Sequence, residues 1–181
     1  YLLHQAPQPD DADNPIRKCV GNGLRPDIWM EFKTRFGIER VGEFYGASEG
    51  NAGCVNAFNK DCTVGFCGAR HALVRYDVLN DELLRSRKGF CQKVKKGEAG
   101  LMLMEISKDA VFDGYVDPGA TQKKILTDVF KKGDRYFNSG DLLKQVDVGF
   151  ALGLPHYQFV DRVGDTYRWK GENVSTNEIG E

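Results

Sequence analysis

The residues of this chain best suited to chemistry begin with the run Tyr45-Gly46-Ala47-Ser48-Glu49. An aromatic ring offers a face to a purine base, and a glycine lets a ligand come close to the backbone. A hydroxyl can donate to a phosphoryl oxygen, and a carboxylate can hold Mg²⁺. Mg²⁺ takes one or two carboxylates and fills its shell with phosphates and water, so Glu49 alone would suffice on the protein side. Far along the chain, Tyr136-Phe137-Asn138-Ser139-Gly140-Asp141 ends on a second carboxylate. Ionised, it only accepts hydrogen bonds and has two oxygens to do so, which suits the vicinal hydroxyls of a ribose. Each run alone also fits a strand end with a surface acid; together they cover the base, the α-phosphate and the sugar of ATP.

The surrounding pattern is that of an α/β chain. Residues 16–20 read as a short strand ending in the turn Gly21-Asn22-Gly23. Pro26 opens a helix, Ile28, Trp29, Phe32 and Phe36 form its apolar stripe, and Gly37 stops it. Residues 40–45 are the next strand, delivering residues 46–49 to a loop at its C-terminal end, the edge where open α/β sheets bind ligands. From 64 to 106 the pattern changes to short apolar runs, 71–78 and 101–106, with turns at 87–89 and 96–98, which predicts an antiparallel β subdomain. Residues 122–130 are expected to be a short helix. Residues 136–146 and 157–169 are expected to be strands, the second with a turn at 162–165. Ser175-Thr176-Asn177-Glu178 is a capping box that announces a helix, yet the chain ends at Glu181. With a loop-like opening over residues 1–15, the expectation is an internal piece of a longer protein.

Composition narrows the classes. With 25 Lys+Arg against 26 Asp+Glu the net charge is -1, so nothing in the charge balance favours nucleic acid. No apolar run approaches the about 20 residues of a membrane helix, so any membrane attachment would come from segments outside this chain. The five cysteines, 19, 54, 62, 67 and 91, include no Cys-x-x-Cys, and the expectation is neither a disulfide framework nor a zinc site, in a reducing compartment. His4, His71 and His156 show no ligand spacing and read as structural or surface residues. Gly21-Asn22-Gly23 is not a dinucleotide fingerprint, because Pro26 stands where its third glycine would.

The run 45–49, the Ser139-Gly140-Asp141 triplet and Asp161-Arg162-Val163-Gly164-Asp165 together resemble the nucleotide site of the adenylate-forming enzymes. Extended through 162–175, the likeness narrows to the fatty acid transport proteins, also called very-long-chain acyl-CoA synthetases. This resemblance implies the C-terminal part of the large domain over residues 1–161, with 64–160 mainly its β subdomain, and a hinge and the start of a small C-terminal domain over 162–181. It implies ATP-dependent activation of a long-chain or very-long-chain fatty acid through an acyl-adenylate, with ATP, Mg²⁺ and CoA as the small molecules. Gly21, Asn22, Gly23, Tyr45, Gly46 and Ala47 would frame the adenine, Ser48 the phosphate and Glu49 the metal. Asp141 and Arg162 would hold the ribose, and Gly164 would be the hinge, where many relatives carry Asp or Lys. The implied location is the cytoplasm or the cytosolic face of a membrane. Two alternatives stay open: a non-catalytic lipid-handling or nucleotide-binding module, and an acyl-AMP ligase with an acceptor other than CoA.

Overall fold

The computed structural model describes residues 1–46, 53–107, 118–163, 166–169 and 172–175. Strands β1 (Lys18–Gly21) and β2 (Arg40–Gly46) are parallel neighbours, paired from Lys18↔Arg40 to Gly21↔Glu43. Helix α1 (Pro26–Arg35) connects them, with proline in its first turn where the missing N–H costs nothing. Its Trp29 is 1% exposed and packs with Ile38 and Val41, while Phe32 and Phe36 lie against the same cluster. The expected stop at Gly37 is a left-handed C-terminal cap at φ +65°. There the Ile38 N–H donates to the Lys33 carbonyl at 2.9 Å and the Gly37 N–H to that of Thr34 at 3.4 Å.

Antiparallel strands β3 (Gly53–Val55) and β4 (Phe66–Cys67) complete this first sheet in the order β1-β2-β3-β4. Cys54 and Cys67 sit directly opposite each other across β3 and β4 and are joined by a disulfide. The cysteine spacing suggested no disulfide framework, and it did not reveal this single bridge. Register places the two thiols face to face, and register is invisible in the spacing of the cysteines. Cys19, Cys62 and Cys91 remain as thiols.

The second sheet is antiparallel throughout, as expected for residues 64–106 and beyond. After β5 (His71–Val74) comes a small hairpin, β6 (Tyr76–Asp77) with β7 (Glu82–Leu83). Then follow β8 (Ala99–Glu105), α2 (Pro118–Lys124), β9 (Ile125–Thr127), β10 (Arg135–Val146) and β11 (His156–Arg162). The strand order is β11-β10-β8-β5, with β9 also paired to β10. Strand β8 is buried on both faces, and the two-residue side-chain period divides its apolar residues between two cores. Met102 and Met104 pack with Tyr45, Cys54, Phe137 and Tyr157 towards the first sheet. Leu101 and Leu103 pack with Val74, Val129 and Leu142 on the opposite face. These four side chains are fully removed from solvent, each contributing about 2 kcal/mol of burial.

The helix expected at 122–130 is corrected to α2, which ends at Lys124, followed directly by β9. The reason lies just downstream. The N–H groups of Val129, Phe130 and Lys131 converge on the Asp134 carboxylate at 2.6, 2.9 and 3.0 Å, and the Asp128 carboxylate takes the Gly133 N–H at 2.6 Å. These side chains satisfy the backbone as a tight turn and leave no helix to continue. The stretch expected at 157–169, broken at 162–165, is β11 followed by β12 (Thr166–Trp169), which pairs with β13 (Glu172–Ser175). Ala47, Ser48, Glu49, Gly164 and the capping residues after Ser175 lie outside the described residues.

Candidate nucleotide site

Strand β2 alternates, and its inward residues are Val41, Glu43 and Tyr45, at 3%, 2% and 7% exposure. Glu43 is the charged member of an otherwise apolar face. One carboxylate oxygen, Oε1, accepts from the backbone N–H groups of Gly23 and Leu24, pinning the turn that follows β1. The other, Oε2, is buried without a hydrogen-bond partner among the described residues. Burial pushes the Glu43 carboxyl above the usual carboxylate range, opposed by the two backbone donors.

Asp141 is presented by an irregularity in β10. Pairing with β8 shifts between Asn138 and Leu142, where Gly140 adopts φ +77°. The backbone groups released there find local partners. The Asn138 side-chain oxygen takes the Gly140 N–H at 3.0 Å, and the Ser139 hydroxyl takes the Asp141 N–H at 3.1 Å while donating to the Met102 carbonyl at 2.9 Å. The Asn-Ser-Gly-Asp sequence is thus the chemistry of the bulge as well as of the carboxylate it delivers.

Tyr45 and Asp141 then meet between the two sheets. The Tyr45 hydroxyl donates to Oδ2 of Asp141 at 2.8 Å. Burial first, and then the Asp141 charge, push the Tyr45 phenol far above its ordinary range. Arg162, paired with Asp141 in the β10–β11 register, places Nε 3.5 Å from Oδ1 with its side chain 73% exposed. Such an exposed ion pair is worth little by itself.

These groups open on one cavity of about 720 Å³, within the size range of small-molecule sites. Of the residues singled out in sequence, Asn22, Gly23, Tyr45, Gly46, Asp141 and Arg162 line it. Gly21 lies behind the wall, at the end of β1, where a Cβ would sit 3.8 Å from Glu43 Oε2. Ala47, Ser48, Glu49 and Gly164 lie outside the described residues. The lining also includes residues to which the sequence reading assigned no site role: Trp29, Glu43, Thr63 and Phe159. For Glu43 a signal existed, since a carboxylate at an inward strand position between Val41 and Tyr45 requires an explanation. Trp29 does act in the helix core as expected, and its indole N–H also bonds Asp61 at 2.9 Å beside Lys33. Among the described residues no three His, Cys, Asp or Glu side chains converge as a metal cage. A Mg²⁺ shared between one carboxylate and nucleotide phosphates requires no such cage.

Solved structures share this two-sheet arrangement. The anthranilate CoA ligase AuaEII in complex with anthranoyl-AMP matches 90% of this chain and 27% of its own at a TM-score of 0.58 and 19% identity. ATP-bound MatB from Rhodopseudomonas palustris matches 90% of this chain and 28% of its own at a TM-score of 0.57 and 23% identity. At such identities the likeness establishes the fold alone.

Sequence comparison goes further. The medium/long-chain-fatty-acid–CoA ligase FadD6 of Mycobacterium tuberculosis is 46% identical over 179 residues, 99% of this chain and 29% of that protein. The long-chain fatty acid transport protein 2 of Rattus norvegicus is 46% identical over 188 residues, 100% of this chain and 29% of that protein. The human long-chain fatty acid transport protein 3 is 42% identical over 188 residues and is matched over 27% of its length. No protein-family model matches the chain. The resemblance to the fatty acid transport proteins and very-long-chain acyl-CoA synthetases, read from three motifs, therefore holds along the whole chain, which spans about 29% of the length of the first two relatives. Among the described residues no helix is long and apolar enough to cross a membrane.

Proposed function

We propose that this chain carries the nucleotide-binding part of an enzyme that activates long-chain or very-long-chain fatty acids. The observation that carries the reading is the convergence of Tyr45, Asp141 and Arg162, from three strands of two sheets, with the Glu43-pinned turn on one cavity. A fatty acid carboxylate oxygen attacks the α-phosphorus of ATP, the bond to the bridging oxygen breaks, and pyrophosphate leaves. The thiol of CoA then attacks the acyl carbonyl, and the carbon–oxygen bond to AMP breaks.

In this reading the Tyr45 ring faces the adenine, and Asn22, Gly23 and Gly46 form the wall along it, with Gly21 behind that wall and Ala47 next in sequence. Asp141 accepts from the ribose hydroxyls, and Arg162 brings a cation to the rim. The Ser48 hydroxyl donates to the α-phosphoryl group, placing a dipole where charge develops. Glu49 would hold Mg²⁺, which when bound neutralises phosphate charge. Gly164 is the pivot between residues 1–161 and a C-terminal domain beginning at 162. We place the reaction on the cytosolic side, where ATP and CoA are supplied, at a membrane from which the acid arrives.

The test is pyrophosphate release by the intact protein across a series of acids. Release that requires an acid and favours long chains supports the proposal. Nucleotide binding without acid-dependent release would leave a non-catalytic module as the account, and adenylate formation without thioester would point to another acceptor.

A further inference from the structure

Tyr45 and Asp141 are 96 residues apart in sequence and belong to different sheets, yet the phenol donates to the carboxylate at 2.8 Å in a buried setting. The side-chain torsion that rotates a carboxylate about its own bond is broad and soft. Below it, the Asn138 and Ser139 side chains accept from the backbone N–H groups of Gly140 and Asp141 and so hold the bulge. Beside it, Arg162 stands 3.5 Å away on an exposed side chain, too loosely to set a plane. The Tyr45 ring is itself held: it belongs to the core cluster with Met102, Met104 and Phe137, and it lies against Phe159 at 6.5 Å between ring centroids. A buried, rigid donor is therefore aimed at a carboxylate of the cavity wall that can accept from a vicinal diol. With its phenol held protonated by burial, Tyr45 stays a donor at every working pH.

We propose that Tyr45 is the positioning residue for Asp141: its hydroxyl sets the carboxylate plane so that both oxygens meet the 2′ and 3′ hydroxyls of a ribose, and it thereby tightens selection of ribonucleotide over 2′-deoxyribonucleotide. This rests on the reading of Asp141 as the ribose acceptor, and it gives the tyrosine hydroxyl a duty separate from that of its ring. A phenol-to-carboxylate bond is charge-assisted, and losing its orienting effect is worth about 5- to 10-fold in nucleotide affinity. The contacts concerned are made alike in ground and transition states, so the loss falls on KM rather than kcat.

The experiment is steady-state kinetics of the intact protein with ATP and with 2′-deoxy-ATP for wild type, Tyr45→Phe, Asp141→Asn and the double variant. Tyr45→Phe keeps the ring and is expected to raise KM for ATP about 5- to 10-fold while shrinking the ATP to 2′-deoxy-ATP preference. The double variant is expected to show little beyond Asp141→Asn alone, since the two changes remove one coupled unit. A fully additive double variant, or an unchanged sugar preference in Tyr45→Phe beside an altered one in Asp141→Asn, overturns the inference and leaves the ribose reading intact. No change of sugar preference in Asp141→Asn overturns the ribose reading itself. Should Tyr45→Phe not fold, 4-aminophenylalanine at position 45 restores a donor and carries the test. Sugar preference kept near wild type then supports the inference, and its loss overturns it.

Discussion

Two glycines with the same backbone angle allow packing to be separated from backbone strain. Gly65 and Gly97 both adopt φ +89°. At Gly97, in the turn before β8, an added Cβ meets nothing within 4 Å. At Gly65 it would sit 1.9 Å from the Val55 carbonyl oxygen, 2.1 Å from its carbon and 2.3 Å from the Asn56 nitrogen. All three are backbone atoms and cannot swing aside. Gly97→Ala therefore costs only the left-handed strain, about 1 kcal/mol. Gly65→Ala bears the same strain and must also drive β3 away from β11. The hydrogen bonds at stake there run from Val64 N–H to the Tyr157 carbonyl and from Tyr157 N–H to the Gly65 carbonyl, each 2.9 Å. Overpacking together with two weakened bonds brings the expected cost to about 4 kcal/mol, a fall of roughly 10 °C in Tm for a chain of this size. Urea denaturation followed by circular dichroism compares the two variants directly. Equal costs would mean that the contact with Val55 is not made. Since Thr63 and Val64 line the cavity, Gly65→Ala should also weaken AMP binding, whereas Gly97→Ala should not.

Asp134→Ala removes the acceptor of three backbone N–H groups, one of them fully buried, and should cost about 3 kcal/mol in urea denaturation; a cost below about 1 kcal/mol would contradict the role given to that turn. Burial raises the Glu43 carboxyl, so the folded state holds its proton more tightly than the unfolded state. Its contribution to stability is accordingly full below the ordinary glutamic acid value and is lost as pH rises through the raised one. Glu43→Gln should flatten that fall in urea midpoints measured across this window, and an unchanged slope would contradict the assignment. In the intact protein, Asp141→Ala should act on KM for ATP and Glu49→Ala on kcat, because ribose contacts are uniform binding whereas charge on the phosphoryl group grows in the transition state; steady-state kinetics with the opposite pattern would contradict both roles. Gly164→Pro fixes φ near -65° and should spare adenylate formation while abolishing thioester formation, and equal loss of both half-reactions with a large fall in Tm would sink the hinge.

Much of the scaffold was legible because its signals are local. Pro26 and Gly37 bracket α1 through backbone chemistry that each residue carries alone, and the alternation of Val41, Glu43 and Tyr45 marks β2. The carboxylate at 141 stood out by its Ser139-Gly140-Asp141 triplet, and the bulge that presents it is built from the same consecutive residues, Asn138 to Asp141. What escaped depends on partners distant in sequence. Residues 125–127 read as helix because nothing local shows that β10 will pair with them. Cys54 and Cys67 become a disulfide only through the register of β3 with β4. Glu43 holds the turn at Gly23 only once β1 and β2 lie side by side, and the Tyr45–Asp141 bond forms only when two sheets face each other.

The cavity between β2 and the β10–β11 pair is proposed to receive ATP. Photolabelling the intact protein with 8-azido-ATP, followed by peptide mapping, tests it directly. The label is predicted on peptides containing the cavity wall at Asn22, Gly23, Tyr45 or Gly46, to be blocked by AMP, and to be lost in Asp141→Asn. Labelling confined to other segments, or insensitive to AMP, would contradict it.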